Sequence, residues 1–208
     1  MTKKDEKRMV NIAEREIKQF IKKWKKNPYQ WESETDVHAE LYIRIKSSLC
    51  ERFPLKKSKY KDMVKKEYFD WVYCKPKTSV KVDKRRCYPD IVIYKGAAHN
   101  EHNDNERDED PMLWVCEIKY STEWSSDLTV DSIRKDVVKL QRLLKQKADG
   151  TGTDHACLLI LVRWLKKYEK NKIPKKKNLN KIDKYLKSLK VKKIKLYYSK
   201  KVINNNGK

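Results

Sequence analysis

The sequence has no apolar run long enough to cross a bilayer. Its longest, Ala156 to Val162, is seven residues, against the roughly 20 that a spanning helix needs. The opening Met-Thr-Lys-Lys-Asp-Glu-Lys-Arg lacks the apolar segment of a secretory leader. No two of the five cysteines (50, 74, 87, 116 and 157) have CxxC spacing, and the four histidines (38, 99, 102 and 155) do not combine with them at zinc-ligand spacing. The odd cysteine count and the apolar surroundings of Cys116 and Cys157 point to buried free thiols in a reducing compartment. No internal repeat is visible, and no helix-turn-helix reads out as a specificity device. The expectation from these absences is a soluble, cytoplasmic protein with no membrane partner.

Acidic residues are the minority. The 208 residues include 52 Lys+Arg and 29 Asp+Glu, a net charge of +23. A charge of that size repels itself, and its commonest use is to bind a polyanion. Nucleic acid fits best, because each neutralised phosphate releases condensed counterions. An anionic membrane fits less well, since no basic helix carries a bulky apolar face to insert. Hydrophobic residues make up 38%, lean but enough for a core in a chain of this length.

Three regions are read along the chain: an N-terminal helix (1–30), a core (31–164) and a Lys-rich C-terminal extension (165–208). Apolar spacing predicts a helix over 4–25, ended at Asn27-Pro28. A second is predicted over 34–50, with Ser33 as cap, Asp36 completing a capping box, and Val37, Leu41, Ile45 and Leu49 as its buried stripe. A Lys-rich connector over 55–66 follows. Strands are predicted over 68–74, over 79–82, over Ile91–Tyr94 (ended by Lys95-Gly96) and over Leu113–Lys119. Residues 97–111, with six acids, read as an exposed loop. A helix capped by Asp131 is predicted over 131–147, then a central strand over Ala156–Val162. Beyond Leu165, 17 Lys stand against Glu169 and Asp183. Pro174 is a break there, with a helix through Leu179–Leu189 and a short strand at Ile194–Tyr198. The tail, with Tyr185, Tyr197 and Tyr198, could grip a nucleic-acid backbone and stack on bases. It could equally bury its aromatics and leave its lysines in solvent. The order of elements gives an α/β (α+β) sandwich with a mixed sheet.

The chemistry concentrates in two segments, Arg85-Arg86-Cys87-Tyr88-Pro89-Asp90-Ile91 and Trp114-Val115-Cys116-Glu117-Ile118-Lys119. Strand side chains alternate, so Glu117 and Lys119 share a face with Val115. A carboxylate and an ammonium inside an apolar strand are costly unless they serve a purpose. Asp90 brings a second carboxylate to the head of a neighbouring strand. Two carboxylates beside a lysine suit Mg²⁺, which takes one or two carboxylates, several waters and substrate phosphate.

Pro89-Asp90 followed by Glu117-x-Lys119 resembles the signature of the PD-(D/E)xK nuclease superfamily. The likeness covers roughly 34–164, including Asp136-Val-Val-Lys139-Leu140 on the later helix. It implies a restriction-endonuclease-like αβββαβ core, its mixed sheet flanked by helices. It also implies a Mg²⁺-dependent endonuclease, with Mn²⁺ able to substitute, that hydrolyses DNA and leaves a 5′-phosphate. Asp90, Glu117 and the Ile118 carbonyl would then ligate the metal, and Lys119 would handle the attacking water. The family often adds a glutamate from the first core helix. Glu40 is the choice here and Glu34 its rival. His38 could sit near the metal, though a satisfied core histidine is the simpler reading. Lys139, Arg85 and Arg86 would contact substrate, and a homodimer would suit cutting two strands. The alternatives are a non-catalytic nucleic-acid-binding module on the same fold and an RNA-directed nuclease.

Overall fold

A computed structural model describes residues 1–53, 70–74, 81–82, 85–86, 88–98, 112–122, 128–146, 152–165, 173–189 and 193–203. Helix α1 spans Lys3–Lys26 and ends at Asn27, followed by one 3-10 turn, Pro28–Gln30. Helix α2 spans Glu34–Arg52, and its start is a reciprocal cap: Ser33 Oγ accepts from Asp36 N while Asp36 accepts from Ser33 N. Strand β1 (Asp70–Cys74) comes next, then a two-residue ribbon of β2 (Lys81–Val82) against β3 (Arg85–Arg86). Strands β4 (Ile91–Ala98) and β5 (Met112–Ser121), helix α3 (Val130–Lys145), strand β6 (Thr153–Leu165), helix α4 (Ile173–Ser188) and strand β7 (Ile194–Ile203) complete the described chain.

The main sheet has the order β1-β4-β5-β6-β7. The β1/β4 and β4/β5 pairs are antiparallel, and β5/β6 and β6/β7 are parallel. The molecule is therefore α+β, with a mixed sheet flanked by helices. One face packs under α1 and α2: Ile17, Phe20, Trp24, Leu41 and Ile45 meet Trp114, Cys116, Ile118 and Leu159. The other packs under α3 and α4: Ile133, Leu140 and Ile182 meet Val115, Leu158 and Ile160. With helices on both faces, β6 is apolar on both, which explains its unbroken hydrophobic run. Each large apolar side chain fully buried in these layers contributes roughly 1.5–3 kcal/mol.

Several expectations need correction. Strand β4 does not stop at Lys95-Gly96 but continues to Ala98, its pairing with β1 resuming at Asp70–Ala98 after a register shift. Helix α3 is capped by Thr129, not Asp131: Thr129 Oγ1 accepts from Ser132 N, and Ser132 Oγ accepts from Thr129 N. Asp131 instead pairs with Arg134 in solvent. Residues beyond 165 are no mere appendage. Strand β7 runs ten residues alongside β6, and Leu179, Ile182 and Leu186 of α4 belong to the core. Pro174 stands in the first turn of α4, where its missing N–H costs nothing. The expected connector over 55–66 and most of the acidic loop (99–111) lie outside the described residues. Among the described residues no helix is long and apolar enough to cross a membrane.

Candidate active site

The site forms where two neighbouring strands have unequal ends. Strand β4 begins at Ile91, opposite Cys116 of β5. From Glu117 onward, β5 has β6 on one side and, among the described residues, no strand on the other. Its even-numbered N–H groups on that open edge still need acceptors, and carboxylates supply them. Asp90 Oδ2 accepts from Ile118 N at 2.8 Å, and Glu34 Oε2 accepts from Tyr120 N at 3.1 Å. The N–H and C=O of one strand residue point to the same side. The Ile118 carbonyl therefore also faces the open edge, beside Asp90.

Helix α2 is placed to reach this edge by the connector before it. Tyr120 Oη donates to the Trp31 carbonyl at 2.7 Å, and Arg163 of β6 donates to the Pro28 carbonyl at 2.9 Å. These bonds pin the segment leading into Ser33, so the first turn of α2 sits over the end of β5. His38, one turn after Glu34, is buried and donates from Nε2 to the Asp90 carbonyl at 2.5 Å. It is a satisfied histidine that fixes the Asp90 backbone.

The opposite face brings α3. Glu117 and Lys119 share that face, as the strand period requires. Glu117 is 1% exposed, and its Oε2 lies 2.6 Å from Lys139 Nζ. Its Oε1 is buried with no hydrogen-bond partner among the described residues. Lys119 Nζ lies 3.1 Å from Asp136 Oδ2 and 4.0 Å from Glu34 Oε1. Burial, reinforced by the Asp90 and Asp136 charges and opposed by Lys139, pushes Glu117 up to about 8. Burial likewise raises Asp136, against the pull of Lys119 and Lys139. For both lysines burial acts downward, but the surrounding carboxylates outweigh it and hold them above the ordinary lysine value.

The structure thus brings together Asp90, Glu117, Lys119 and Lys139. Glu40 does not join them. It points towards α1, 3.0 Å from Lys23 and 3.6 Å from Arg44. Glu34, its rival, takes the place beside Lys119. Asp136 was legible only as part of the Asp-x-x-Lys-Leu string, without a role. Its i, i+3 spacing to Lys139 was the signal that both point to one side of α3. Arg85 and Arg86 form β3 a few residues before Asp90, and their side chains lie outside the described residues.

A cleft of ≈ 470 Å³ opens next to Lys119, bounded by Glu34, Thr122 and Ser132. The starts of α2 and α3 both line it, so the positive ends of two helix dipoles face the same space. Among the described residues, no three His, Cys, Asp or Glu side chains form a ready-made cage for a metal ion. Two carboxylates, one of which keeps a buried oxygen without a partner among the described residues, and an edge carbonyl are nevertheless a donor set that Mg²⁺ accepts, since it keeps much of its water. Comparison with protein-family models, with curated proteins and with solved structures finds no match to this chain.

Proposed function

We propose that this protein is a metal-dependent nuclease of the PD-(D/E)xK type that hydrolyses phosphodiester bonds, with DNA as its substrate. One observation carries the reading. Asp90, at the head of β4, caps the open edge of β5 through Ile118 N and lies close enough to Glu117 for its charge to act on that carboxyl, and Lys119 shares the face of Glu117 in a fold with helices over both sheet faces. Asp90, Glu117 and the Ile118 carbonyl would hold Mg²⁺ or Mn²⁺. Bound there, the ion supplies Lewis-acid polarisation of the phosphoryl oxygen and acidifies the attacking water.

The residues of this chain do the rest. Asp136 holds the Lys119 ammonium at the site, where it can orient the water and balance charge on the phosphorane-like transition state. The water oxygen attacks phosphorus and the P–O3′ bond breaks. The attacking water gives up a proton to solvent and the leaving oxygen takes one from solvent, so the products are a 5′-phosphate and a 3′-hydroxyl. The helix starts lining the cleft favour an anion beside Lys119. The net charge of +23 favours a long polyanion over a small phosphate ester.

Cleavage of supercoiled, linear and branched DNA with Mg²⁺, Mn²⁺ or EDTA tests this. Metal-dependent cutting is expected, falling at least a hundredfold in Asp90→Asn and Lys119→Ala with DNA binding retained. Asparagine is chosen because its amide oxygen still accepts from Ile118 N. Equal activity in both variants would sink the assignment. One observation favours a second reading, a non-catalytic binding module: Lys139 already occupies Glu117 Oε2. Binding without cutting on every substrate, RNA included, would select it.

A further inference from the structure

We infer that Lys139 is an internal competitor for the metal: its ammonium takes a coordination position at Glu117, and a divalent ion must displace it to bind. The inference rests on the nuclease reading of the same site. Lys139 Nζ sits among oxygens from three separate segments: Glu117 Oε2 of β5 at 2.6 Å, the Tyr88 carbonyl before β4 at 3.5 Å, and Asp136 Oδ1 of α3 at 3.9 Å. A cation ringed by oxygens beside a nearly unexposed carboxylate is what a metal site looks like with an ammonium in it. The remaining Glu117 oxygen, Oε1, has no partner among the described residues. The ammonium therefore uses only half of what the carboxylate offers.

The lysine has somewhere to go. Asp136 is one turn back on the same helix, and a small rotation of the flexible lysine stem transfers the ammonium from Glu117 to it. Lys119, by contrast, lies with Asp136 and Glu34 and is no such competitor. The displaced ammonium would then share Asp136 with Lys119.

Calorimetric titration of Mg²⁺ and Ca²⁺ without nucleic acid, at one fixed pH for all variants, tests the competition. Lys139→Met should bind the ions at least tenfold more tightly than the native chain. Lys139→Arg, which keeps a cation, should stay within threefold of it. Lys119→Met removes the same charge from the same site and should gain far less. Asp90→Asn and Glu117→Gln should lose the binding. A Lys139→Met affinity equal to or weaker than native, with Asp90→Asn still abolishing binding, would overturn the competitor role and leave the nuclease reading intact. Equal gains in the Lys119 and Lys139 variants would overturn it as mere charge removal. Absence of ion binding in every variant would remove both. Should Lys139→Met not fold by circular dichroism, Lys139→Gln carries the same comparison.

Discussion

Glu117 has much at stake in its protonation. Burial, together with Asp90 and Asp136, holds it at about 8 against an ordinary value of 4.5. Between those limits the folded chain keeps a proton that the unfolded chain releases, so stability falls as pH rises through that window. Without metal, the melting temperature should therefore drop from pH 5 to pH 8.5, and Glu117→Gln should flatten that slope. A native profile that is level or rises over that range would contradict it. Asp136, also raised by burial, acts with the same sign. At this scale the sequence was informative where chemistry is local. The alternation in β5 put Glu117 and Lys119 on one face, and Pro89-Asp90 marked the strand head. It misled between Glu40 and Glu34. The apolar stripe of α2 fixes which side is buried, but not where along the helix the sheet ends. Lys23, which claims Glu40, comes from α1, a neighbour no spacing in α2 reveals.

Among the elements, α3 carries Asp136 and Lys139, and its start sets where both arrive. Thr129→Ala removes the side-chain acceptor for Ser132 N and should cost ~1 kcal/mol by urea denaturation, the typical price of a lost N-cap. Asp131→Ala, at an exposed ion pair, should fall within ~0.5 kcal/mol of native. Reversed magnitudes would restore Asp131 as the cap. Both Thr129 and Asp131 are good capping types, and only the path of the backbone decides between them. Strands showed the opposite failing. Where apolar runs were continuous, as in β6, they were easily seen. Strand β7 was foreseen at half its length because lysines at 195, 200 and 201 interrupt its pattern. An edge strand tolerates such charge, and it protects the edge from pairing with other chains.

For the whole molecule, the Lys-rich last fifth has two duties that composition merged into one. Its charge sets the polyelectrolyte character, while its apolar positions close the fold. A chain ending at residue 165 would expose the flank of β6 and uncover the seats of Leu179, Ile182 and Leu186. It should be insoluble or lack a cooperative melt. A soluble 1–165 fragment melting within a few degrees of the full chain would make the segment an appendage after all. The order of helices and strands was legible because period and capping are local signals. The closure by β7 was not, because parallel pairing across a helix is a long-range choice. The open edge of β5 has a last implication, for how relatives of this chain would diverge. On the nuclease reading Asp90 both finishes the sheet and holds the metal, whereas the Glu117 side chain bonds no backbone group among the described residues. A lineage that abandoned catalysis would be free to lose Glu117 and Lys139 as a pair, yet would be held to an acceptor at position 90. Retention of the aspartate alone would then record architecture, and retention of the buried glutamate would record activity.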